Sequence, residues 1–132
     1  MGRKFNQPVN VWNVSQGENF AWMFYGADAF NQALNSWVVS QGKNFTSMFA
    51  YTMKFNQPLN DWDVSNGVDY SEMFNGIQFD YPLDQWNVSS GVDFSEMFSS
   101  APRFNQDLNG WDVSNGLRFK VMFYAAANSI NH

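Results

Sequence analysis

The strongest constraint on this chain is an internal repeat of about 25 residues, because five near-identical segments in a row can only bury their apolar sides by stacking on one another. A phenylalanine opens each unit at Phe5, Phe30, Phe55, Phe79 and Phe104, spaced by 25, 25, 24 and 25 residues. Trp12, Trp37, Trp62, Trp86 and Trp111 follow at a fixed offset, and Val14, Val39, Val64, Val88 and Val113 stand two residues later, each followed by serine. Glycine recurs at Gly17, Gly42, Gly67, Gly91 and Gly116. A further aromatic comes at Phe20, Phe45, Tyr70, Phe94 and Phe119, then a Met-Phe pair from Met23-Phe24 to Met122-Phe123. These offsets divide a single domain, 1–132, into units 5–29, 30–54, 55–78, 79–103 and 104–128.

Within a unit, Leu59-Asn60-Asp61-Trp62-Asp63-Val64-Ser65 alternates apolar and polar residues, the period of a half-buried strand. Ser65-Asn66-Gly67 then supplies turn chemistry, with glycine expected to take a positive φ. Asn19, Asn44, Asp69 and Asp93 sit where a helix N-cap belongs, and Asp69-x-x-Glu72 and Asp93-x-x-Glu96 resemble capping boxes. Tyr70, Met73, Phe74 and Ile77 fall at the spacing of one or two helical turns. Strand, turn, short helix and return predict a right-handed, leucine-rich-repeat-like α/β solenoid of five coils. An all-β helix of the same coil length is the alternative.

The chain has 19% aromatic residues, and the repeated offsets assign most of them to core ladders. Each buried ring removes ~150–250 Å² from water, so stacking can supply most of the driving force. Polar residues recur as well: Asn6, Asn31, Asn56, Asp80 and Asn105, and beside them Gln7, Gln32, Gln57 and Gln106. Asn10, Asn35, Asn60, Asp84 and Asn109 make another such row. Their expected role is coil-to-coil hydrogen bonding that satisfies turn backbone groups.

The string from Phe55 to Phe74, FNQPLNDWDVSNGVDYSEMF, closely resembles the BspA-like leucine-rich repeats of mycoplasma and other bacterial surface proteins. Phe55-Asn56-Gln57-Pro58-Leu59, Trp62-Asp63-Val64-Ser65 and Met73-Phe74 carry the likeness, which runs from Phe5 to about Ala126. One departure is the glycine at 17, 42, 67, 91 and 116, where the common pattern has valine. The resemblance implies an extracellular or cell-surface array linked with adhesion, and it brings no catalytic residue.

Composition excludes several functions. A net charge of −5 argues against a nucleic-acid partner, and no apolar run reaches the ~20 residues of a membrane span. Met1-Gly2-Arg3-Lys4 leads into polar Asn6-Gln7 without the apolar core of a signal peptide. The acidity is local: residues 55–103 hold Asp61, Asp63, Asp69, Glu72, Asp80, Asp84, Asp93 and Glu96 against Arg103. There is no cysteine, and His132 is the only histidine, so thiol nucleophiles and Cys/His zinc sites are ruled out. No phosphate-binding loop, dinucleotide fingerprint or EF-hand loop occurs, so no cofactor is expected. A low-affinity surface calcium site could draw on Asp61, Asp63, Asp84 and Asp112. Sequons place possible glycosylation at Asn13, Asn44 and Asn87.

Two surfaces are left for interaction. The outward face of the expected sheet carries Val11, Asn13, Val38, Asp61, Asp63, Asn87 and Asp112, a place where repeat proteins commonly bind partners. The other surface is found by comparing units. Trp22/Tyr25 and Val121/Tyr124 are apolar in the first and last units, where the middle ones have Ser47/Ala50, Glu72/Asn75 and Glu96/Ser99. Neither end departs from the repeat, so these residues are expected to lie against further repeats, a partner or another copy. The chain thus reads as a non-enzymatic adhesion or interaction module, with head-to-tail self-assembly into a fibre as the alternative.

Overall fold

The computed structural model describes residues 2–126; the last unit, 104–128, and His132 run beyond them. The described residues contain no helix, and their strand pairing is confined to four isolated parallel bridges, Asn19–Asn44, Asn44–Asp69, Asp69–Asp93 and Asp93–Arg118. Both expected architectures are therefore corrected. An α/β solenoid needs helices that are not there, and an all-β helix needs continuous strands. The chain instead forms a pile of turn-rich coils, numbered here 1–5 after the five units.

A specific backbone conformation prevents the helix. Trp22, Ser47, Glu72, Glu96 and Val121 all have left-handed φ, at 65°, 52°, 56°, 57° and 46°. Gly26, Tyr51, Gly76, Ser100 and Ala125, four residues further on, are left-handed again. An α-helix cannot pass through such residues, so the chain advances as successive three-residue turns. Asn19, Asn44, Asp69 and Asp93 do accept a hydrogen bond from a following amide, but from the residue two ahead, at 2.9 Å in each case. They make Asx turns where helix caps were expected. Apolar spacing nonetheless holds, since Tyr70, Met73, Phe74 and Ile77 are all fully buried.

The amide accounting of coil 2 shows what replaces the helix. The N–H groups of Phe45, Ser47, Phe49 and Tyr51 donate to the carbonyls of Asp69, Ser71, Met73 and Asn75 in coil 3, at 2.8–3.0 Å. Those of Met48, Ala50 and Thr52 donate three residues back within the coil, and Thr46 donates to Asn44 Oδ1. Every amide from Phe45 to Thr52 is thereby paired, which a buried backbone requires. The same alternation joins each coil to the next, from Phe20→Asn44 to Ser100→Tyr124.

Side chains follow the same register. The tryptophan rings stack from Trp37 through Trp62 and Trp86 to Trp111, with centroids 6.4, 6.4 and 6.5 Å apart and planes within 4°. Each indole Nε1 also donates to a carbonyl one coil back: Trp37 to Val9, Trp62 to Leu34, Trp86 to Leu59 and Trp111 to Leu83, at 2.8–3.0 Å. Phenylalanines stack likewise, as in Phe49–Phe74–Phe98 at 5.8 and 5.5 Å. Outside the core, Asn6, Asn31, Asn56 and Asp80 each accept from the amide of the equivalent residue one coil on, at 2.9–3.1 Å. Asp can stand in for Asn there because only an acceptor oxygen is needed.

The recurrent glycines owe their place to space, with no positive φ at Gly17, Gly42, Gly67, Gly91 or Gly116. A Cβ on Gly17 would stand 2.7 Å from Cζ of Phe20, which folds back over it. Phe45, Tyr70, Phe94 and Phe119 crowd the other four positions in the same way.

Candidate interaction surfaces

The first surface is not a sheet. Trp12, Trp37, Trp62, Trp86 and Trp111 each donate an amide three residues back, so a tight turn interrupts the stretch read as a strand. Val11, Asn13, Val38, Asp61, Asp63, Asn87 and Asp112 are exposed on this turn edge, with Val11 and Val38 standing proud of it. Their polar neighbours are already occupied. Asn13, Asp63, Asn87 and Asp112 accept the amide of the serine two residues on, at 3.0–3.1 Å. Asn35 Nδ2 donates to Asp61 at 2.8 Å. Hydrogen bonds from the Ser65 hydroxyl and amide hold the Asp63 carboxyl below its ordinary pKa, and Ser114 does the same for Asp112. Asp84 is lowered by the side chains of Asn60 and Gln85.

The structure does not assemble Asp61, Asp63, Asp84 and Asp112 into a cage. Among the described residues no three acidic or histidine side chains converge where a metal ion could sit. Of the sequon residues, Asn13 and Asn87 are exposed on the turn edge, whereas Asn44 is half-buried in the row of bridges. No helix among the described residues is long and apolar enough to cross a membrane.

Trp22 and Tyr25 occupy coil 1, Val121 and Tyr124 the equivalent positions of coil 5, all exposed. Trp22 packs on Tyr25 at 5.0 Å, and Tyr25 meets Tyr51 edge-on at 5.7 Å. Between these ends the ridge is polar, and there Glu72 is held above its ordinary pKa by burial and by the neighbouring Glu96. Ser47 Oγ, on the same ridge, is buried without a hydrogen-bond partner.

At the ends of the pile stand two exposed rings, Trp12 and Phe119, that the repeat assigns to the core ladders. Trp12 belongs by sequence with the core tryptophans, yet it is 43% exposed and, among the described residues, stacks on no other ring and has no acceptor for its indole N–H. At the other end Phe119 is 41% exposed and Leu117 76%. With Phe119, the side chains of Leu108, Asn109, Trp111, Val113, Met122 and Phe123 line an open-sided apolar cavity of about 360 Å³. Among the described residues the amides of Phe119, Val121 and Ala125 donate to nothing. In coil 1 the carbonyls of Asn19, Ala21, Met23 and Tyr25 accept no hydrogen bond from the described residues. Nothing in the sequence marks out Trp12 and Phe119, because they match the repeat as well as Trp62 and Phe94 do.

With that geometry established, comparison with known proteins gives one match. The family described as "Mycoplasma protein of unknown function, DUF285" matches residues 1–78 and again 71–132. The chain belongs to this family. The first match spans coils 1–3 and the second coils 4 and 5 with the end of coil 3, so the two together cover the whole repeat. No curated protein and no solved structure matches the chain.

Proposed function

We propose that the chain is a non-enzymatic interaction module of a cell-surface repeat protein, and that it binds protein through an end coil. The observation that carries this reading is the apolar cavity at coil 5, bordered by the undirected amides of Phe119 and Val121. Apolar surface beside unpaired backbone donors is the chemistry of an edge that receives another chain segment. The turn edge supports binding less well, since its carboxylates and amides are spent on their own turns. Membership of a mycoplasma family, together with the likeness of Phe55–Phe74 to BspA-like surface repeats, supports a surface location and adhesion.

The test is retention of fluorescently labelled chain on host-cell surfaces. Phe119→Glu places a charge in the cavity and is expected to abolish retention, while Val38→Glu on the turn edge leaves it unchanged. Equal retention of wild type and Phe119→Glu would remove the end coil from the function.

A second reading, self-assembly head to tail into a fibre, is favoured by the complementarity of the two ends. Coil 1 offers carbonyls and coil 5 offers amides at corresponding positions. A heterologous contact of this kind does not close on itself and extends indefinitely.

A further inference from the structure

We infer that the cavity at coil 5 is the seat of one particular side chain, the indole of Trp12 from a second copy of this chain. The inference rests on the end-coil reading above and names its partner and its register.

The argument begins with what an interior tryptophan needs. Trp62 of coil 3 donates its Nε1 proton to the Leu34 carbonyl of coil 2, packs on Phe45 and Phe49 of coil 2 at 6.5 and 6.1 Å, and stacks on Trp37 at 6.4 Å. Trp86 repeats this against Leu59, Tyr70, Phe74 and Trp62, and Trp111 against Leu83, Phe94, Phe98 and Trp86. Each of these three tryptophans therefore uses four residues of the preceding coil: a leucine carbonyl, two aromatic rings and a tryptophan. Coil 5 supplies the same four as Leu108, Phe119, Phe123 and Trp111, and all four line the cavity. The cavity is the tryptophan seat of a sixth coil.

Of the five ladder tryptophans, Trp12 alone has neither an acceptor for its indole N–H nor a ring against it among the described residues. Trp12 belongs to coil 1, has no coil before it among the described residues, and stands 43% exposed. Seating it in coil 5 of another copy gives it the arrangement that Trp62, Trp86 and Trp111 have.

The backbone agrees with that register. Moving one coil along the pattern Phe94→Arg118, Glu96→Lys120 and Ser100→Tyr124 pairs the amides of Phe119, Val121 and Ala125 with the carbonyls of Asn19, Ala21 and Tyr25 of the second copy. In the reverse sense, Lys43, Val68, Val92 and Leu117 each donate to the residue one coil back. The free amide of Glu18 would donate to Leu117 in the same way. The apolar ridge positions also meet, with Trp22 against Val121 and Tyr25 against Tyr124. This explains why only the outer units are apolar there.

The test is sedimentation velocity across a concentration series with two complementary variants. Trp12→Ser keeps the cavity and lacks the indole; Phe119→Glu keeps the indole and blocks the cavity. Wild type is expected to grow into chains, and Trp12→Ser to weaken association by about 30-fold or more, as loss of a central tryptophan anchor does. Each variant alone should stay monomeric, while an equimolar mixture should stop at a 1:1 dimer. Gln16→Cys with Asn115→Cys, exposed equivalents at the two ends, should form intermolecular disulfides, because a coil spacing of ~4.8 Å lies within disulfide reach. Should Phe119→Glu prove unfolded by circular dichroism, Val113→Glu blocks the same cavity. Assembly of Trp12→Ser at wild-type strength, or a wild type monomeric at every concentration, overturns the inference. If Trp12→Ser assembles normally while Phe119→Glu does not, the cavity still binds protein but its occupant is another segment.

Discussion

Phe74→Ala should be among the most damaging substitutions in this chain, and Phe119→Ala should cost much less, although the two residues occupy similar ladders. Phe74 is fully buried and meets Phe79, Phe98, Phe49 and Trp86 at 4.6, 5.5, 5.8 and 6.0 Å. Truncating such a ring removes its transfer free energy and leaves a cavity, together about 3–5 kcal/mol. Phe119 keeps 41% of its surface in water and stacks on Phe94 alone, at 5.4 Å. Scaled by the apolar area it withholds from solvent, its loss should cost about 1–2 kcal/mol. Position adds to the contrast, because an interior lesion weakens two coil-coil interfaces and a terminal one weakens a single interface. Against a total stability of about 5–15 kcal/mol, the interior variant should move the urea midpoint substantially. Unfolding followed by tryptophan fluorescence, at dilutions where wild type is monomeric, measures both. Equal costs for the two variants, or a loss under about 1 kcal/mol for Phe74→Ala, would refute the claim that stacked rings hold the coils together.

Three further outcomes are expected. Gly67→Ala drives a Cβ into the Tyr70 ring and should lose about 1–3 kcal/mol by overpacking, whereas Gly110→Ala, with open space around it, should change the melting temperature little. Glu72 has a folded pKa above its unfolded value, so the folded state holds the extra proton and stability rises as pH falls into that window. Glu72→Gln should therefore stabilise at neutral pH by about 0.2–1 kcal/mol and flatten the pH profile there; a loss of stability would count against the Glu72–Glu96 repulsion. Asp63 is shifted the opposite way, so its contribution is present above the ordinary aspartate pKa and fades as pH falls through the lower folded value. Because Asp63 is exposed, Asp63→Ala should cost only about 0.2–1 kcal/mol at pH 7 and remove that part of the acid dependence, readable in melts between pH 7 and pH 2.

The sequence by itself determined the register, the identity of the core and the spacing of the coils. Those are properties of side-chain chemistry recurring at fixed offsets. Phe45, Met48 and Phe49 are buried whether the backbone between them is helical or folded in three-residue turns, because both bring residues three and four apart to one side. The backbone type was decided only in the tertiary structure. Nothing in Trp22, Ser47, Glu72, Glu96 or Val121 announces a left-handed φ, and local propensity for these residues points to ordinary right-handed conformations. That cost is met by the neighbouring coil: with the third residue left-handed, alternate amides turn outward and find carbonyls across the gap, which a helix would have kept to itself. The recurrent glycines show the same division. Their positions were plain in the sequence, but their reason was a ring folded back from three residues ahead. Trp12 and Phe119 mark the other limit of sequence reading, since they match the repeat as well as Trp62 and Phe94 do, yet only the latter pair is buried.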